Sequence, residues 1–137
     1  MKVVVYKHLQ KDVKDIREEV FMKEQGFENE FDDLDAISTF VVVYDNNLAL
    51  ATGRFYPSEK GYVIGRVAVV KPYRKQGIGQ LVIRSLEQEI GKNGAAFVEL
   101  SAQQRVQGFY EGLGYTVVGG VYMDEHCPHV RMVKEIV

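Results

Sequence analysis

The stretch from Tyr62 to Leu100 constrains the fold more than any other part of the chain. Tyr62 to Val70 is a β-branched, apolar run that reads as a strand. Pro72 then blocks further ladder pairing. Arg74-Lys75-Gln76-Gly77-Ile78-Gly79 forms a basic turn with two glycines. From Ile78 the period changes: Leu81, Val82, Ser85, Leu86 and Ile90 recur at helical spacing, and Asn93-Gly94 supplies a C-terminal cap. Ala95 to Leu100 is again strand-like. A strand, a helix and a strand in that order predict a crossover unit at the centre of a sheet.

The flanks are mostly antiparallel. Val3 to Tyr6 predicts a first strand, and Leu9, Val13, Ile16 and Val20 mark one face of a helix ending near Gly26. Glu24 to Asp35 is acidic and aperiodic, and reads as a loop or a short second helix. Thr39 to Tyr44 and Leu48 to Tyr56 are strands joined by Asp45-Asn46-Asn47, where asparagine tolerates a tight hairpin. Val106, Phe109, Tyr110 and Leu113 mark a short helix closed by Gly114. Tyr115 to Val118, Val121 to Met123 and Val130 to Ile136 are strand-like. The class is α+β, and 137 residues without a linker or repeat predict one domain, 1–137.

Composition narrows the function classes. The chain has 17 basic and 19 acidic residues, a net charge of −2, which gives no general reason to hold nucleic acid. One cysteine cannot form an intrachain disulfide. No apolar run approaches the ~20 residues of a membrane span. The first residues lack a signal-peptide core, so the expected location is cytoplasmic.

The turn from Arg74 to Gln80 has the makings of an anion site. The first turn of a helix offers N–H groups without intrahelical partners and the positive end of the dipole. Gly77 and Gly79 would admit a phosphate close to the backbone, and Arg74 and Lys75 would add charge. Two phosphate loops are excluded. Gln80-Leu81 stands where a P-loop needs Lys-Ser/Thr, and Val82 stands where the dinucleotide fingerprint needs a third glycine.

Arg74-Lys-Gln-Gly77-Ile-Gly79 between a strand and a helix resembles the Arg/Gln-x-x-Gly-x-Gly/Ala signature of the GCN5-related N-acetyltransferase (GNAT) superfamily. Gln103, seven residues before Tyr110 in a segment ending Gly114-Tyr115, resembles the second landmark, with Gln in the usual Asn place. Arg17-Glu-Glu-Val-Phe21, Gln25, Gly53-Arg54, Gly65-Arg66, Ala102-Gln103 and Pro128-His129 extend the likeness to the small ElaA/YjcF-like subfamily. Departures are Gly108 in the short helix and His126-Cys127, where Gly-Ile would be expected. The resemblance implies a mixed, mostly antiparallel sheet of six to seven strands flanked by about four helices.

It also implies acetyl transfer from acetyl-CoA to a primary amine of a small molecule or peptide. Val67, Ala68 and Val69 would pair with the pantetheine arm, and the amides of Lys75, Gln76, Gly77, Ile78, Gly79 and Gln80 would hold the pyrophosphate beside Arg74, with Gln103 contributing to cofactor binding. Tyr110 would be the acid, since a phenol is protonated at neutral pH. His129 is the first expectation for the base, with Glu24 and Glu99 as other carboxylates. Acceptor binding is expected at Arg17, Glu24 and Arg54, which share a polar N-terminal half. Two arginines there predict an acceptor that also carries a carboxylate or phosphate. No metal site is expected, because four contiguous residues at 126–129 cannot enclose a tetrahedral ion. A homodimer is compatible with this reading. The rivals are a non-catalytic CoA-binding module and an acyl-homoserine-lactone-synthase-like acyltransferase.

Overall fold

The computed structural model describes residues 1–28 and 30–136. Seven strands form one sheet: β1 (Lys2–Tyr6), β2 (Thr39–Asp45), β3 (Leu48–Pro57), β4 (Tyr62–Val69), β5 (Phe97–Gln103), β6 (Thr116–Asp124) and β7 (Cys127–Glu135). Their spatial order is β1-β2-β3-β4-β5-β7-β6. Only β4 and β5 run parallel, as the crossover between them demands. The helices are α1 (Lys11–Arg17), α2 (Ile78–Lys92) and α3 (Gln107–Gly112). About four were expected; among the described residues there are three. The remainder of the first is a π-helical segment, Glu18–Glu24, and the acidic stretch folds as a loop with a 3₁₀ turn at Asp33–Ile37.

The sheet's two faces explain the sequence periods. The uninterrupted run Phe40 to Val43 in β2 is wholly buried, because helices cover both faces there. Val13, Ile16 and Val20 pack on Phe40 and Val42. Val82, Leu86 and Ile90 of α2 pack on the other face against Val41, Val43 and Leu50. Gly53 lets α2 lie this close: a Cβ there would stand 2.8 Å from both Leu86 Cδ1 and Val82 Cγ1.

Two irregularities prepare the site. Arg54 pairs with Gly65 and Thr52 with Ala68, so Gly53 alone faces both Arg66 and Val67. This bulge puts Arg66 at φ +51°, a conformation that costs a non-glycine residue roughly 1–2 kcal/mol. The parallel pairing of β4 with β5 covers only Tyr62–Ile64 against Val98–Leu100. Beyond Ile64 the two strands part, and among the described residues the edge of β4 that faces β5 has no ladder partner. The separate strand-like runs at Val118 and Val121 join in one strand, bent at a register shift where Gly119 has φ +84°. Among the described residues no helix is long and apolar enough to cross a membrane.

Candidate active site

The parting of β4 and β5 opens a cleft of ≈ 620 Å³. One wall is Val67, Ala68 and Val69 with the start of α2; the other includes Ser101, Ala102 and Gln103 of β5. Val69 leads through the 3₁₀ turn Lys71–Tyr73 into the basic loop. Lys75 at φ +65° and Gly77 at φ +80° turn the chain twice, and Gly77 caps α2. Consecutive amides in such a turn converge on one concavity, and the first N–H groups of α2 add to it. No atom lies within 4 Å of the position a Gly77 Cβ would take, so glycine is needed there for its backbone angle. Gly79 answers a contact: a Cβ would approach Phe109 Cζ to 3.3 Å.

Val67, Ala68, Val69, Arg74, Lys75, Gly77, Ile78, Gly79, Gln80 and Gln103 all line this cleft; Gln76 does not and is exposed. Arg74 differs from the sequence expectation of an uncommitted cation. Its Nη atoms donate to both Glu24 oxygens at 2.6 and 2.7 Å, and its Nε donates to the Val69 carbonyl at 2.8 Å. That hydrogen-bonded pair holds the Glu24 carboxyl below its ordinary value. Gln103 donates to Gln25 Oε1 at 2.7 Å and accepts from Arg105 Nε at 2.9 Å, tying the end of β5 to the π segment.

Tyr110 lines the same cleft from α3, packed edge-on between Phe109 and Tyr115. Burial pushes its phenol well above the ordinary range, so it stays protonated near neutral pH and can only donate or share that proton. His129 also lines the cleft and is buried. Its Nδ1 lies 2.9 Å from the Cys127 carbonyl. A carbonyl cannot donate, so Nδ1 carries the hydrogen, and in the neutral tautomer that this bond selects Nε2 is the acceptor. Tyr122 stacks on the ring and Phe27 meets it edge-on. Burial raises the Cys127 thiol, the opposite of what a nucleophilic thiolate needs. Glu99 pairs with Arg131 at 3.3 Å, outside the cleft.

Arg17, Glu24 and Arg54 are not among the cleft's lining residues. Arg17 is fully buried. Its Nε donates to Glu30 Oε1 at 2.7 Å and its Nη1 to Asp35 Oδ1 at 2.8 Å. Arg54 donates from Nη1 to Asp32 and Asp35, both at 2.7 Å. Arg66 completes the set, 3.3 Å from Glu30 and 3.2 Å from Asp32. Three guanidinium groups thus meet three carboxylates inside the protein. The expectation that Arg17 and Arg54 wait for an acidic acceptor is corrected: their charges are already met.

The carboxylates of this network respond differently to their surroundings. Hydrogen bonds from Arg54 hold Asp32 below its usual value. Burial acts to raise Asp35, but Arg17 and Arg54 outweigh it and hold it low. For Glu30, burial outweighs Arg66 and Arg17 and raises the group. Glu30, which lines the cleft, was not singled out in the sequence; one glutamate in an acidic, aperiodic loop carries no spacing that marks it.

The model of the acetyltransferase (GNAT) domain family matches residues 7–136. The uncharacterized N-acetyltransferase YjcF of Bacillus subtilis is 34% identical, over 98% of this chain and 100% of its own. The crystal structure of Escherichia coli ElaA is 25% identical with a TM-score of 0.89, covering 98% of this chain and 99% of that one. An acyl-CoA N-acyltransferase from Pseudomonas aeruginosa is 26% identical with a TM-score of 0.87, covering 97% and 98%. The chain belongs to the GNAT acetyltransferase family and has its fold; it is an acyltransferase by family.

Proposed function

We propose that this protein transfers an acetyl group from acetyl-CoA to a primary amine of a small molecule or peptide. The observation that carries this reading is the unpaired edge of β4 running directly into the Lys75–Gly77 turn. An extended amide-bearing arm can add to that edge as a strand would, from Val67 to Val69. Its pyrophosphate then falls on the amides of the turn and the start of α2. The thioester lies in the cleft, with a β4 backbone N–H directed at its carbonyl oxygen as the charge develops.

The acceptor arrives as an ammonium and loses one proton to His129 Nε2. The freed nitrogen pair forms the C–N bond, the C–S bond breaks, the departing thiolate takes the Tyr110 proton, and the Tyr110 oxygen recovers one from the acylated nitrogen, which leaves as the neutral amide. Tyr110 suits this role because its phenol is held protonated by burial. His129 suits its own because Cys127 fixes the tautomer.

The test is thiol release from acetyl-CoA with a panel of primary amines, followed by mass detection of the acetylated product. Amine-dependent release together with product is the expected result. Acetyl-CoA binding without release for any amine class would sink the catalytic reading. With an accepted amine in hand, His129→Ala should flatten the acidic limb of the pH–rate curve; an unchanged limb would remove His129 as the base.

A further inference from the structure

Glu30 brings a carboxylate into the cleft wall while remaining buried, 3% exposed. Its Oε1 accepts from Arg17 Nε at 2.7 Å and lies 3.3 Å from Arg66 Nε. Its backbone carbonyl accepts from Arg17 Nη2 and Arg66 Nε at 3.0 and 3.1 Å. Among the described residues, Oε2 has no hydrogen-bond partner. It is also absent from the fully shielded polar atoms left unpaired, of which Arg54 Nε is the one found. Its open side is therefore the cleft. A carboxylate oxygen that is open to the cleft and has no protein donor can accept a hydrogen bond from a group that enters. An N–H-bearing cation is the group that would satisfy it.

The surroundings restrict that cation. Phe21 and Phe27 line the cleft and meet edge-on at 6.4 Å. Asp124 and Glu125 line it from the β6–β7 turn. The arginines nearest to Glu30 are balanced by carboxylates, Arg66 by Glu30 and Asp32 and Arg17 by Glu30 and Asp35. Arg105 lies beside Gln103 at the end of β5, and Lys75 belongs to the cofactor turn. The part of the wall formed by Glu30, Phe21 and Phe27 thus offers a carboxylate oxygen with apolar flanks.

We propose that Glu30 Oε2 holds the ammonium of the acceptor, and that the acceptor is an alkyl ammonium without an acid group. Its carbon chain lies along Phe21 and Phe27. A second ammonium is favoured by Asp124, and a carboxylate in that place is opposed. This rests on the amine-acetylation reading and names its substrate class. It reverses the preference that the two arginines suggested in the sequence.

Binding without turnover separates the two readings. Pentylamine, 1,5-diaminopentane and 5-aminopentanoate are titrated into the protein, with and without CoA, by calorimetry. The first two should bind, and 5-aminopentanoate at least ~10-fold more weakly. E30Q keeps an oxygen for Arg17 but removes the charge. It should weaken the diamine by ~10-fold or more, the loss expected of a charge-assisted hydrogen bond. If E30Q does not fold, the wild-type panel still decides. Equal or tighter binding of 5-aminopentanoate, no binding of either amine, or unchanged diamine affinity in folded E30Q overturns the proposal. Glu30-dependent amine binding without acetyl transfer leaves this site standing and removes the acetylation reading.

Discussion

The proposed cofactor side and the proposed acceptor side of the cleft are built by different means. The first is one continuous stretch, Val67 to Gln80, whose proposed contacts are backbone amides and whose shape depends on Lys75 and Gly77 at positive φ. The second is assembled from side chains of distant segments: Phe21, Phe27 and Glu30 before β2, Tyr110 on α3, and His129 on β7. Backbone sites depend on local conformation and tolerate many side chains. Side-chain sites depend on tertiary packing and on how charges are balanced beneath them. The two halves should therefore fail differently when altered.

Tyr110→Phe gives the largest expected effect and tests whether chemistry resides in side chains alone. Removal of a general acid costs typically ~10²–10⁴-fold in turnover. The ring remains in its place between Phe109 and Tyr115, so CoA affinity should hold within about 2-fold, since no cofactor contact is removed. Single-turnover kinetics beside CoA binding check both. An equal loss in affinity and rate would make Tyr110 part of the cofactor wall.

Arg17→Met attacks the charge network beneath the acceptor side. It leaves Glu30 and Asp35 facing a thioether in a buried place. Breaking a buried pair from one side costs roughly 3–5 kcal/mol. Thermal unfolding should show it, and acetyl-CoA should still bind the fraction that remains folded. Acid reads the same network in the unaltered protein. Asp32 and Asp35 have lowered values in the folded state, so they contribute stability above the unfolded carboxylate value of about 4. That contribution disappears as pH falls through their folded values. Glu30 acts with the opposite sign, since its raised value favours folding on the acid side. Denaturant midpoints should fall below pH ~4 in the wild type, and by less in Asp32→Asn.

The same contrast decides how much could be read from the sequence. The strand–turn–helix unit was legible because its residues are neighbours, so that Pro72, Gly77 and the new helical period punctuate one line of text. Tyr110 and His129 could be named because they fall inside recognisable segments, and both line the cleft. Glu30 could not. Its significance comes from Arg17, thirteen residues earlier, and Arg66, thirty-six later, neither of which spacing ties to it. Arg17 and Arg54 were misread for a related reason. An arginine in a sequence is a charge awaiting a partner, and only packing shows that Asp32 and Asp35 supply one. The π segment escaped notice because the i, i+3, i+4 spacing of Val13, Ile16 and Val20 does not record the wider turn that ends in Gln25 N–H donating to the Val20 carbonyl.

Gly77→Ala probes the backbone side. Alanine at φ +80° costs roughly 1–2 kcal/mol, and no neighbouring atom adds to that by collision. If the turn relaxes to relieve the strain, its amides no longer converge, and CoA should weaken by about 10-fold, or ~1.4 kcal/mol. The acceptor side should be indifferent: calorimetric amine affinity stays at its wild-type value. A variant that loses amine affinity while keeping CoA would show that the halves are not separable in this way.

Glu24→Gln has the smallest expected effect and addresses the seam between the two halves. Glu24 ends the π segment and holds Arg74 of the cofactor turn through two hydrogen bonds. Both side chains are about one-third exposed, so the pair is worth ~0.2–1 kcal/mol to folding. The pair also neutralises a guanidinium that lines the cleft where phosphate is expected. Gln keeps the shape and one acceptor oxygen but releases the charge. Stability should change by less than ~1 kcal/mol. CoA should bind slightly tighter, by a factor of ~2–5, and the gain should shrink as salt rises toward ~0.5 M and screening shortens. Weaker binding in Glu24→Gln would mean that the pair holds Arg74 in its binding geometry. In that case the π segment is part of the cofactor site, and the division between a backbone half and a side-chain half fails at this residue.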